Sequence, residues 1–136
     1  MKLVYPACFY MEDNGTYSVD IPDLLGCVTQ GGDLADAMEM AVDAASGWIL
    51  SALEGGEEPP KASNAEDVKL EFENGMVNYI MLDIDSYAEK YGDKAIRKNL
   101  TIPAWLNTIA EKHNVNFSHV LKNALQVELK EYLPSW

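Results

Sequence analysis

Arg97, Asn99 and Thr101 recur at a spacing of two within Lys94-Ala-Ile-Arg-Lys-Asn-Leu-Thr-Ile-Pro103. Successive side chains of an extended chain point to opposite sides, so these three polar residues share one face. Ile96, Leu100 and Ile102 share the other. Arginine is chemically suited to guanine and asparagine to adenine. So short a strand cannot stand alone, and the segment holds no hairpin partner for it. A lone strand ahead of two helices pairs naturally with its copy in a second chain. The resulting two-stranded ribbon is of a size that enters the major groove of DNA.

Other residues invite a catalytic or metal reading and do not sustain it. Asp20, Asp23, Asp83 and Asp85 all fall at predicted strand ends. A Mg²⁺ site needs oxygen ligands that converge, and nothing in the sequence brings these four together; solvation of strand ends accounts for them. The chain up to Asp93 has no histidine, the commonest general base. Ser46, Ser51 and Ser63 lie in no nucleophile motif, and Gly31-Gly32 lacks the spacing of a nucleotide-binding loop. His113 and His119 have no cysteine or carboxylate at ligand spacing. Cys8 and Cys27 sit on separate predicted elements and read as buried free thiols of a reduced, cytoplasmic chain. The expectation is a protein with no catalytic residues, no metal and no cofactor.

The elements that position these residues divide by charge. The 136 residues carry a formal charge of −12, but up to Asp93 there are 19 acidic and 4 basic residues, and from Lys94 onward 3 acidic and 6 basic. A break this sharp marks parts with different partners. It predicts an acidic domain over residues 1–90, repelled by nucleic acid and attractive to a basic protein, and a basic domain over residues 94–136 able to sit on phosphate. There is no 18-residue apolar run to span a membrane, and Pro6 and Glu12 interrupt any leader-like stretch.

In the acidic part, Lys2–Met11 and Tyr17–Ile21 alternate as strands around an Asp13-Asn14-Gly15 turn, and Cys27–Thr29 adds a short third strand. Asp33 is the expected N-cap of a helix, with Asp36 as its capping-box-like partner. Leu34, Met38, Ala41, Ala45, Trp48 and Ala52 mark its apolar face. Asp36, Glu39 and Asp43 lie on its mostly solvated side, and Gly55-Gly56 ends it. Val68–Glu73 and Met76–Asp83 alternate around Asn74-Gly75 as a second hairpin, and residues 85–92 hold one helical turn. In the basic part, Pro103 suits the first turn of a helix bearing Trp105, Leu106, Ile109 and Ala110. A turn at 114–118 follows, with Asn116 as N-cap and Ser118 as the second choice. The last helix carries apolar residues from Val120 to Leu133 around more than one stripe, which calls for a partner subunit.

Two resemblances arise from these residues. Arg97-Lys-Asn-Leu-Thr-Ile-Pro103, a short helix, a turn and Asn116-Phe-Ser-His-Val-Leu-Lys-Asn-Ala-Leu125 resemble a ribbon-helix-helix DNA-binding domain. That resemblance makes Arg97, Asn99 and Thr101 the base readers and places Asn116, Phe117 and Ser118 at a phosphate clamp, with Lys94 and Lys98 as further phosphate contacts. Tyr17-Ser-Val-Asp-Ile-Pro-Asp-Leu-Leu-Gly-Cys-Val-Thr-Gln-Gly31 followed by Asp33-Leu-Ala-Asp-Ala37 is similar to the N-terminal domain of HicB-type antitoxins, which looks like a partial, shortened RNase H fold. The implied fold class is α+β: a partial RNase H-like sheet with one main helix, then a ribbon-helix-helix. The implied function is an antitoxin that blocks a small basic HicA-type ribonuclease, with Asp20 and Asp23 as toxin contacts. It would repress its own operon as a homodimer on operator double-stranded DNA, with assembly into a higher oligomer left open. The rivals are a stand-alone dimeric repressor with a sensing domain, and a nuclease of RNase H ancestry.

Overall fold

The computed structural model describes residues 1–92 and 95–134. Its first strand, β1 (Lys2–Met11), turns at Asp13-Asn14-Gly15 into β2 (Tyr17–Asp20). Gly15 takes φ +84°, a conformation that glycine adopts without a Cβ clash. Asn14 Oδ1 accepts from the Thr16 amide and hydroxyl and holds the turn closed. A tight loop at 22–26 then feeds β3 (Val28–Gly31). After the long helix α1 (Leu34–Glu54) and a connecting stretch, β4 (Gly75–Asp83) returns to pair with β1, and α2 (Ile84–Tyr91) follows directly. All pairings are antiparallel and the order is β3-β2-β1-β4. The class is mixed α+β, with α1 on one face of the sheet.

The chain divides into two compact units, Met1–Asp93 with Pro134–Trp136, and Lys94–Leu133. The first has a closed core. Leu3, Tyr5, Phe9, Ile21, Ile80 and Leu82 come from the sheet, and Ala37, Ala41, Ala45 and Ile49 from α1. Bulky side chains on the sheet thus meet mostly alanine on the helix, which lets α1 lie close. This shifts the helix face from the one expected. Ala37 and Ile49 are at its centre, Met38 is exposed, and Leu34 and Trp48 flank the core half-buried. The Trp48 indole N–H donates to the Leu25 carbonyl at 3.0 Å, which accounts for its marginal position. At the helix start Asp33 accepts from the Asp36 amide and Asp36 accepts from the Gly32 amide, both at 2.8 Å, as expected of reciprocal capping.

Three expected elements differ. Val68–Glu73 is not a strand. β1 takes the whole of β4 as its ladder partner, and the 68–73 segment is held by side chains: the Glu71 amide donates to the Tyr10 hydroxyl at 3.0 Å, and Phe72 meets the Tyr10 ring edge-on at 5.5 Å. Its alternation serves packing rather than pairing. The single turn expected at 85–92 is a two-turn helix, because Asp83 caps α2 by accepting from the Ser86 amide. The last helix, α4 (Phe117–Glu128), stops short of Leu133 and is followed by a 3₁₀ turn at Lys130–Tyr132. Leu133 is extended, as the residue before a proline prefers.

In the second unit, α3 (Ala104–Lys112) and α4 are joined by a Schellman turn. Asn114 sits at φ +55°, its amide donates to the Glu111 carbonyl, and the Val115 amide donates to the Ala110 carbonyl. Asn116 is the N-cap of α4, as expected, accepting from the His119 amide at 3.1 Å. Neither helix has a buried residue. Residues 95–103 form neither helix nor ladder within the chain.

Cys8, Asp20 and Val28 occupy one cross-strand row. Burial pushes the thiols of Cys8 and Cys27 up, Cys27 to about 11, so both stay protonated at neutral pH. Both are free and buried, as expected.

Two outcomes follow from this packing. A Cβ on Gly31 would stand 2.3 Å from the Ala37 backbone nitrogen, so Gly31→Ala must displace the start of α1; denaturant titration should show a loss of about 1–3 kcal/mol. Burial, then the Glu71 carboxylate, raise the Asp20 carboxyl above its usual range, so the folded state holds this proton more tightly than the unfolded chain. Its penalty appears as pH rises through the unfolded value and is full above the folded one. Asp20→Asn should therefore raise the melting temperature at pH 7, with the gain vanishing in strongly acidic buffer.

Candidate functional site

The sequence-derived DNA residues lie in the second unit. Arg97, Lys98, Asn99 and Thr101 are all exposed on the extended stretch before α3. Lys94 lies outside the described residues. Asn116, Phe117 and Ser118 come together at the start of α4, because the Schellman turn reverses the chain and Asn116 then caps the helix. The Asn116 side chain takes up the His119 amide, and the Val120 amide bonds to the Asn116 carbonyl. The amides of Phe117 and Ser118 make no hydrogen bond among the described residues. They are the open donors of the helix N-terminus, the end where an anion is favoured. The apolar side chains around them are as exposed as the polar ones: Ile96 is 82% exposed, Leu100 64%, Trp105 65% and Val127 75%.

The acidic residues of the first unit go to different tasks. Asp23 is engaged by Ser63, whose amide and hydroxyl donate to its two carboxylate oxygens at 2.9 and 2.6 Å. It ties the stretch after α1 back to the loop between β2 and β3. Asp20 is half-buried in the sheet. Asp83 caps α2, and those hydrogen bonds from Ser86 hold its carboxyl below the usual range. Asp85 pairs with the Met1 ammonium at 2.6 Å. The four strand-end carboxylates therefore do not converge. Among the described residues no group of three or more His, Cys, Asp or Glu side chains is arranged to hold a metal ion.

A concavity of about 530 Å³ lies between α1 and α2 at the β4 side of the sheet. Met38, Val42, Met81, Tyr87 and Tyr91 give it an apolar and aromatic lining, and Glu39 and Asp43 stand exposed beside it. The Tyr87 and Tyr91 rings are 4.7 Å apart, and the Lys90 ammonium is 5.3 Å from the centre of the Tyr91 ring. Burial, then the nearby Asp43 carboxylate, push the Tyr87 hydroxyl up. Helix periodicity places Glu39 and Asp43 on a mostly solvated face and carries no sign of this groove. Its signal was Gly47, set in the middle of a 21-residue helix where glycine is unfavourable. A Cβ there would stand 2.9 Å from the Tyr87 hydroxyl.

Among the described residues, no helix is long and apolar enough to cross a membrane.

Comparison with known proteins matches residues 5–125 to the HicB_like antitoxin of bacterial toxin–antitoxin systems. A protein of Haemophilus phage HP1 (strain HP1c1), described as an uncharacterized 14.9 kDa protein of the rep-hol intergenic region, is 33% identical over 106 residues, 76% of each chain. Among solved structures, a chain of a toxin–antitoxin complex from Streptococcus pneumoniae superposes with a TM-score of 0.62 at 25% identity, over 94% of this chain and 99% of that one. The antitoxin HicB of Burkholderia pseudomallei superposes with a TM-score of 0.55 at 22% identity, over 95% and 98% of the two chains, a likeness of fold. The match to the family model runs through the sheet, α1, α2, α3 and most of α4, so the chain belongs to the HicB_like antitoxin family of bacterial toxin–antitoxin systems.

Proposed function

We propose that this chain is a non-enzymatic antitoxin with two jobs. Its acidic unit, of partial RNase H-like form, neutralises a HicA-type toxin that cleaves mRNA, and its second unit dimerises as a ribbon-helix-helix to repress the operon from operator DNA. The toxin-directed half rests on family membership and on the acidic surplus of residues 1–93, whose field steers a basic partner and speeds encounter. Asp23, occupied by Ser63, and Asp20, recessed in the sheet, are weak toxin contacts under this reading. With those carboxylates so engaged, the nuclease alternative loses support.

One observation carries the DNA-directed half: α3 and α4 are well formed, yet they bury none of their residues within their own chain. A helix pair of this size has no core unless another surface supplies it. The partner that fits is a second copy whose residues 95–103 add to this one as an antiparallel ribbon. Ile96, Leu100 and Ile102 then face α3 and α4 of both subunits, and Arg97, Asn99 and Thr101 face outward together to read base edges. Lys98 starts from the apolar side of that ribbon, and its flexible stem carries the ammonium out to the DNA backbone. Lys94 and the open amides of Phe117 and Ser118 supply further phosphate contacts. A two-fold protein requires a two-fold operator.

Two measurements test this reading. Arg97→Ala should weaken operator binding by about 1–3 kcal/mol and relax the choice of base at its position; an unchanged gel-shift titration on both matched and mutated operators would refute the assignment. Leu100→Glu puts a charge at the centre of the ribbon and should give a monomer by analytical ultracentrifugation. A variant that stays dimeric would show that the ribbon is not the seam.

A further inference from the structure

We propose that the groove between α1 and α2 is the seat of an arginine-bearing segment of the toxin, its guanidinium held by Glu39 and Asp43 and stacked on the Tyr87–Tyr91 ring pair. This rests on the antitoxin reading and locates where it acts.

The long-range field of the acidic unit says that the partner is basic, but not where it docks. The groove is where that field can become a specific contact. It is concave, so it removes water from a bound side chain, and a carboxylate beside a low-dielectric wall attracts a cation more strongly than one on open surface. Glu39 and Asp43 are one helical turn apart on α1 and face the same side. Lys90 also lines the groove and holds its ammonium over the Tyr91 ring, so an incoming arginine displaces that ammonium or stacks on the Tyr87 side, beside Asp43. Arginine suits this setting better than lysine. Its planar fork can bond a carboxylate with two parallel N–H groups while its face lies on a tyrosine ring, and it is the more weakly hydrated of the two cations.

Two features extend the site beyond one side chain. Met38 and Val42 provide an apolar floor for the stem of the arginine and for a neighbouring hydrophobic residue. Met81 belongs to β4, the outer strand of the sheet, nine residues long without lysine or proline. An edge of that kind accepts an added strand. A nucleic acid or an anionic lipid surface would meet like charge here, which leaves a basic protein segment as the occupant. Gly47 leaves room for the Tyr87 hydroxyl against α1, since a Cβ there would stand 2.9 Å from it and the tyrosine would have to shift.

The test uses the full chain and a purified HicA-type toxin, the small basic protein of the antitoxin reading, titrated by calorimetry. The double variant Glu39→Lys, Asp43→Lys should bind about 100-fold more weakly than wild type. The control Glu57→Lys, Glu58→Lys makes the same change in net charge on an exposed loop and should stay within about fivefold. Both pairs are exposed, and far-UV circular dichroism verifies the fold. Equal loss in both variants means that only the overall field matters, and full binding by the groove variant means that the toxin docks elsewhere; either result overturns the proposal while the antitoxin reading stands. Failure of the wild-type chain to bind the basic protein overturns both.

Discussion

Burial of apolar surface is the constraint on which the second unit depends. Fully covering a leucine, isoleucine, valine or phenylalanine side chain contributes about 1.5–3 kcal/mol. In residues 95–133 much of that stabilisation is uncollected: Ile96, Leu100, Trp105, Ile109, Val120 and Leu125 all stand about half exposed or more. Yet the local signals there are complete. The Schellman turn after α3 satisfies its last carbonyls, Asn116 caps α4, and Pro134 sets Leu133 extended. Local signals thus specify this segment completely while its apolar side chains stay largely uncovered, and that contrast is what supports the proposed pairing with a second copy.

The first unit meets the same constraint within one chain. Its solution is unequal sizes, with Tyr5, Phe9 and Leu3 on the sheet opposite a helix of alanines. The close approach this permits is also what makes Gly31 necessary, where β3 meets the backbone at the start of α1, and Gly47 separately leaves room for the Tyr87 hydroxyl of α2. The space that Gly47 yields to Tyr87 contributes to the shape of the groove between α1 and α2.

The charge surplus of this unit is not a uniform coat. Asp33, Asp36 and Asp83 act at helix starts, Asp23 fastens a loop, Asp85 pairs with the Met1 ammonium, and Asp20 is recessed at some cost. Glu39 and Asp43 remain exposed at a concave apolar site. The carboxylates with structural duties add to the overall negative field, and Glu39 and Asp43 are the pair that the proposed docking of a basic segment uses.

What the amino-acid sequence determined by itself was local or summed. The alternation of β1 and β2, the Asn14-Gly15 turn, the caps at Asp33 and Asn116, the charge break near residue 94, and the antitoxin resemblance on residues 17–37 all depend on near neighbours or on counting. Tertiary structure decided whatever depends on two distant segments meeting. Val68–Glu73 has the alternation of a strand but no free ladder, since β1 holds β4 along its length. On α1 the expected Ala41, Ala45 and Ala52 are buried, but hydrophobicity also favours Met38, which stands exposed, whereas contact with a bulky sheet favours the small Ala37. Asp23 looked available until Ser63, forty residues on, took both its oxygens. Periodicity records which side of an element is apolar; it carries no record of what will stand opposite, and that second body sets burial, hydrogen-bond partners and the shape of a site.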